Sequence, residues 1–267
     1  MTENIKEETA ADLLYKLLQD PPPDVDLTIV GGSALVFWSQ LYISVYPQFF
    51  NENRIVGTQD IDFIGLSKDA EACHKHWGGK LIKPGFGHAT PEVAILRLHD
   101  SGVDIEIDFL QDLVDLPRIK ALKGRELVEG LSGNQGVYVL SEIMVLINRV
   151  SNTLNLAKYQ NDHALDQIYN AISIVKAAIQ ARIDVYEYNQ AARLAYNVLD
   201  LSRKRGLGVE LFIKFDIDLL DALIVHNNFP EEFGLIALPA LMEEITERRA
   251  AKKAHLERRE KEKRVAK

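Results

Sequence analysis

Period-two apolar patterns, the mark of strands, are confined to the first half of this 267-residue chain, and helical spacing takes over near residue 140. Residues 27–30, 60–64, 93–98 and 103–110 read as strands. The last two form a hairpin turned at His99-Asp100-Ser101-Gly102. Residues 5–19 predict a helix stopped by Pro21-Pro22-Pro23. Residues 33–46 predict a second helix, apolar almost all round and therefore buried. A short third one spans 67–77 with Ser67 as its N-cap. Beyond Ser141-Glu142, which opens a helix to Leu156, the patterns are helical over 160–181 and 184–204, the latter closed by Gly206. A short helix near 216–226 and a charged one from about 230 complete the chain. The order predicts an α+β fold, with a mixed-sheet domain over 1–138 and an α-helical domain over 139–267.

One strand is unusual. In Thr58-Gln59-Asp60-Ile61-Asp62-Phe63-Ile64, two carboxylates flank a single apolar residue. Side chains two apart on a strand share a face, so Asp60 and Asp62 project together and repel unless a cation lies between them. Strand propensity does not explain the pair, because Asp is depleted in strands. A strand whose polar face is in water, or a calcium loop, would account for it otherwise. Upstream, Gly31-Gly32-Ser33 joins a strand to a helix. Such a turn allows close backbone approach, and free N–H groups at a helix N-terminus attract phosphate. Downstream, Val103–Leu110 offers Asp104, Glu106 and Asp108 on one face. One of these beside the pair would complete a three-carboxylate site for Mg²⁺, and two ions there could bridge a triphosphate.

Together, Gly31-Gly32-Ser33-Ala34, the Asp60–Asp62 run and the acidic strand resemble the nucleotidyltransferase fold of the DNA polymerase beta superfamily, over roughly residues 25–112. The Gly-Gly-x-Ala and Thr-x-Asp-Ile-Asp forms are closest to the minimal and AbiEii-like (abortive-infection) nucleotidyltransferases, some of them toxins of toxin–antitoxin pairs. The resemblance implies that Gly31, Gly32 and Ser33 hold nucleotide phosphates. It implies that Asp60 and Asp62 bind two Mg²⁺ ions, or Mn²⁺. Ile107-Asp108-Phe109-Leu110 resembles the closing strand and favours Asp108 as the third acid, with Asp104 and Glu106 as alternatives. It also implies a basic residue near the triphosphate from the following helices, where Arg149, Asn152, Lys158 and Asp162 fall. Capping side chains at an ordinary interhelical turn would explain those four equally. The chain departs from compact members in the long Gly32-to-Asp60 spacing, where Tyr46 to Asn53 looks inserted.

The implied activity is transfer of a nucleoside monophosphate from an NTP such as ATP to an RNA, protein or small-molecule acceptor. A toxin or phage-defence role with an antitoxin partner belongs to the same resemblance. A catalytically inactive binding or regulatory protein on the same fold is the alternative, and an interaction protein built on the helical half is a third reading. The net charge of −8 argues against nonspecific nucleic-acid coating. The segment 246–267 nevertheless carries about +6, leaving about −14 elsewhere, so a local basic arm could touch RNA. One cysteine, Cys73, excludes an internal disulfide. Beside His74 and His76 it lacks the second pair that a zinc site needs. No apolar stretch is long enough to span a bilayer, and the acidic N-terminal residues do not read as a signal peptide. The expectation is a cytoplasmic protein away from membranes. His88 and His99 near the hairpin, and Phe49-Phe50 as a base-stacking surface, are minor candidates for lining a cleft.

Overall fold

The computed structural model describes residues 2–23, 25–54, 57–85, 91–100, 102–132, 135–203 and 207–265. His88 lies outside the described residues. The first unit, residues 1–171, is built on a mixed seven-stranded sheet. Its strands are β1 (Thr28–Ile29), β2 (Ile61–Ile64), β3 (Lys80–Ile82), β4 (Glu92–Asp100), β5 (Val103–Leu110), β6 (Arg125–Ser132) and β7 (Gln135–Leu140), in the order β3-β4-β5-β2-β1-β7-β6. β2 runs parallel to β5 and β1 parallel to β7; the remaining neighbours are antiparallel.

The helices follow from apolar spacing and stop where the sequence stops them. α1 (Thr2–Gln19) ends before the proline run, and Lys16 Nζ ties it to Asp100 at 2.7 Å. α2 (Gly31–Ile43) is buried on nearly every side over its first nine residues, as its composition predicts. Trp38 Nε1 donates to Leu140 O at 2.8 Å, and Tyr42 Oη donates to Glu142 at 2.6 Å. These bonds fix α2 against α5 (Glu142–Asn155), which follows β7. α3 (Ser67–Trp77) starts one residue earlier than a cap at Ser67 would place it. Leu66 is its cap, and Leu66 N–H is held by Asp69 at 2.8 Å, so Ser67 is the first helical residue. α4 (Arg118–Lys123) is short. The inserted stretch forms 3₁₀ turns at Pro47–Phe49 and Glu52–Arg54 and is tied to α6 (Asp162–Asp184). Arg54 stacks on Tyr169, 3.8 Å from the ring centre, and its carbonyl accepts from Asn170 Nδ2 at 2.6 Å.

The hairpin β6–β7 has no counterpart in the sequence reading. The sequence 125–140 carries Gly130, Gly133, Asn134 and Gly136, whose turn signals obscure the alternation. The change from strand to helix falls at the end of β7, close to the predicted 138. The compact units themselves divide later, within α6, between Ala171 and Ile172. The second unit, residues 172–267, holds the rest of α6 together with α7 (Tyr188–Arg203), α8 (Gly208–Phe215) and α9 (Leu238–Val265). A 3₁₀ turn, Leu219–Ala222, occupies the place of the expected 216–226 helix. Asp218, which caps that turn, accepts at both carboxylate oxygens from Nη2 of Arg249 on α9, a residue only 2% exposed. No helix among the described residues is long and apolar enough to cross a membrane.

Candidate functional site

Register decides which acids meet. In the parallel β2–β5 pair, Asp62 lies opposite Asp108 and Phe63 opposite Phe109. The two phenyl rings pack 6.0 Å apart on the buried face, which turns both carboxylates to the other face. Asp60, just before β2, joins them at the wall of a cleft of about 350 Å³. Asp104 and Glu106 share the Asp108 face but sit further along β5. Asp104 Oδ1 accepts from His99 Nδ1 at 2.8 Å, and Glu106 pairs with Arg97. Neither of them, nor His99, nor Phe49 and Phe50, is among the residues lining the cleft.

The glycine turn stands directly over Asp62. Gly31 has φ +61°, and a Cβ there would sit 2.1 Å from Asp62 Oδ2, so a side chain is excluded both by conformation and by space. Gly32 N–H donates to the same oxygen at 3.0 Å. The positive end of α2 therefore addresses Asp62 before any other anion. Ser33 is placed differently from its expected phosphate role. It is fully buried and does not line the cleft; its Oγ donates to Asp60 O and accepts from Asp62 N–H, both at 3.1 Å. Thr58 Oγ1 also donates to Asp60 O, at 2.8 Å. Both hydroxyls fix the backbone that carries the acid pair.

Arg149, on α5, lines the cleft although it is only 6% exposed. Its Nη1 donates to Gln167 at 3.1 Å and its Nη2 to Asn148; its Nε has no partner among the described residues. Gln167 in turn contacts His163 Nε2 at 3.3 Å. Asn148, Gln167 and His163 line the cleft and were not singled out from sequence, because polar helix residues give no signal until packing faces them inward. Lys158 lines it too, exposed, with Nζ over the Tyr159 ring. Asn152 is also a lining residue, whereas Asp162 is not.

The electrostatics are those of acids short of positive charge. The Asp62 carboxyl is pushed up to about 6, first by burial and then by Asp60, while Arg149 and the amides of Gly32 and Ser33 pull against the rise. Asp108 is pushed up to about 7, by burial first and then by Asp62, Asp60, Glu92 and Glu106. Burial lowers the Arg149 guanidinium, and Asp62 opposes that. Asp108 Oδ1 is buried with no hydrogen-bond partner among the described residues. An orphaned carboxylate oxygen within an all-oxygen donor set fits Mg²⁺, which Asp62 and Asp108 could hold with help from Asp60. Among the described residues, no three His, Cys, Asp or Glu side chains already stand grouped as a metal site.

No protein-family model matches the chain, and neither does any curated protein sequence. Two solved structures resemble it in part. One is an antigenic nucleotidyltransferase-like protein from Paracoccidioides brasiliensis, at 15% identity and a TM-score of 0.36, over 70% of this chain and 92% of that one. The other is JHP933 from Helicobacter pylori, at 14% identity and a TM-score of 0.34, over 97% of this chain and 99% of that one.

Proposed function

We propose that this protein is a Mg²⁺-dependent nucleotidyltransferase. The observation that carries the reading is the meeting, in one cleft, of the Gly31–Gly32 turn, Asp60, Asp62 and Asp108, with Arg149 buried beside them. In this reading the acceptor oxygen bonds to the α-phosphorus of the NTP, the bond from that phosphorus to the bridging oxygen breaks, and pyrophosphate leaves with the electron pair. Asp108 takes the acceptor proton. Arg149 and Lys158 offset phosphate charge, and α2 presents its N-terminus to the phosphates once the Gly32 amide exchanges Asp62 for a phosphate oxygen. Bound divalent cations, Mg²⁺ or Mn²⁺ held by Asp60, Asp62 and Asp108, would neutralise charge on the phosphates and on the leaving group.

Mg²⁺ with α-labelled ATP tests the proposal. Wild type binds ATP and transfers label, and Asp62→Asn abolishes transfer. Absence of both ATP binding and transfer sinks it. The AbiEii-like subfamily, and with it a toxin or phage-defence role beside an antitoxin, rests on the sequence resemblance. Growth arrest on expression, relieved by Asp62→Asn, is its test. One observation favours a second reading, a binding protein that has lost catalysis: the three acids are not already grouped as a metal site, and Gly32 N–H is spent on Asp62. Calorimetric titration with Mg²⁺ in the presence of ATP separates the two, since an inactive site takes up no metal with the nucleotide.

A further inference from the structure

We propose that Gln167 is a positioning residue for the nucleotide, seating the Arg149 guanidinium in uncharged hydrogen bonds so that its charge is kept for the phosphates. The inference rests on the nucleotidyltransferase reading and adds to it a residue that acts through Arg149. Gln167 stands on α6 four residues after His163, so the two share a face of that helix, and both line the cleft. Gln167 is 7% exposed. Arg149 comes from α5 beside Asn148, which is also buried. An arginine has five N–H donors and no acceptor, so the Gln167 atom that meets Nη1 at 3.1 Å is Oε1. The same reasoning sets Asn148 Oδ1 against Nη2. With Oε1 committed, Gln167 Nε2 donates to His163 Nε2 at 3.3 Å, and the imidazole accepts there and carries its proton on Nδ1. Each link of the chain from His163 to Asn148 thus has one polarity. Gln167 cannot turn its amide over without setting N–H against N–H.

The seat matters because it is neutral. Burying a guanidinium is costly, and proteins commonly offset the cost with a carboxylate bonded to the fork. Both side chains that bond Arg149 are amides instead, and its Nε has no partner among the described residues. Asp62 acts on the cation by its charge, opposing the fall that burial causes. A carboxylate at position 167 would hold the fork equally well and cancel its charge. An amide holds it and leaves the charge to an incoming anion. The seat is built from none of Asp60, Asp62 and Asp108, so it persists when divalent ions occupy those acids.

Calorimetric binding of a non-hydrolysable ATP analogue with Mg²⁺ to the full-length protein tests this, with tryptophan-detected melting to follow the fold. Gln167→Leu, of similar volume but without hydrogen bonds, should raise the Kd about tenfold, the worth of one hydrogen bond to a charged group. Gln167→Glu keeps an acceptor for Nη1 and should melt near wild type, yet raise the Kd about tenfold or more because the partner now carries charge. If Gln167→Leu does not fold, Gln167→Glu decides alone. In an Arg149→Lys background, whose ammonium cannot span Asn148 and Gln167 as a fork, Gln167→Leu should change the Kd less than about twofold. A Kd within about twofold of wild type in either single variant, an equal loss from Gln167→Leu in both backgrounds, or unfolding of Gln167→Glu overturns the inference and leaves nucleotide binding standing. A wild type that binds no analogue overturns the nucleotidyltransferase reading, and this inference with it.

Discussion

Asp108→Asn should make the first unit more stable at high pH and leave it nearly unchanged at low pH. Folding raises the Asp108 carboxyl from 3.8 to about 7, so the folded state favours the neutral acid. Ionising it costs stability: nothing below about pH 4, progressively more between pH 4 and 7, and the full amount above pH 7. A rise of about three pKa units corresponds to about 4 kcal/mol as an upper bound. Partial exposure and coupling to Asp62, which is raised by overlapping causes, reduce the expectation to about 1–2 kcal/mol. The two tryptophans, Trp38 and Trp77, both lie in the first unit, so their fluorescence follows the part of the chain that matters. In urea with EDTA, the Asp108→Asn midpoint should exceed wild type by about 0.5–1 M at pH 8.5 and by little at pH 4.5. Mg²⁺ at pH 8.5 should then stabilise wild type more than the variant. An equal shift at both pH values, or a loss at pH 8.5, would refute the account of Asp108 as a buried acid lacking a cation.

Gly31→Ala should lower the same urea midpoint and abolish nucleotide transfer, since the added Cβ meets Asp62 Oδ2 at 2.1 Å and φ +61° costs a side chain about 1–2 kcal/mol. Wild-type stability in this variant would contradict the geometry. Tyr42→Phe removes a 2.6 Å bond to Glu142, which is 1% exposed, and should cost about 2 kcal/mol by chemical denaturation. Cys73 is fully buried, and its thiol is pushed up to about 12 by burial and by Asp69, so an aromatic disulfide reagent at pH 8 should label it only in denaturant.

The elements that sequence read well are those whose own pattern decides them. α2 is apolar all round and had to be buried; α5 opens at Ser141-Glu142 where predicted; and the β4–β5 hairpin turns at Gly102, with φ +83°. β6 and β7 were missed because glycine and asparagine in and between them give turn signals that only pairing overrides. Ser33 shows the limit for side chains. An N-terminal hydroxyl after two glycines suggests a phosphate ligand, yet burial gives it a different task, bridging Asp60 O and Asp62 N–H.

Sequence alone put Asp60 and Asp62 on one face after a glycine turn and offered Asp104, Glu106 and Asp108 as candidates for a third acid. Alternation along a strand is a local rule, so it needs no knowledge of what the strand packs against. The resemblance of Ile107–Leu110 already favoured Asp108, and the β2–β5 register sets Asp62 against it while leaving Asp104 with His99 and Glu106 with Arg97. The places of Gln167, Glu92 and Asp112 in the cleft were decided by tertiary structure, as was the burial of Arg149, itself a candidate from sequence. Their strands and helices meet only when the sheet closes its order and α5 docks on α2, and no spacing within the chain encodes that distance.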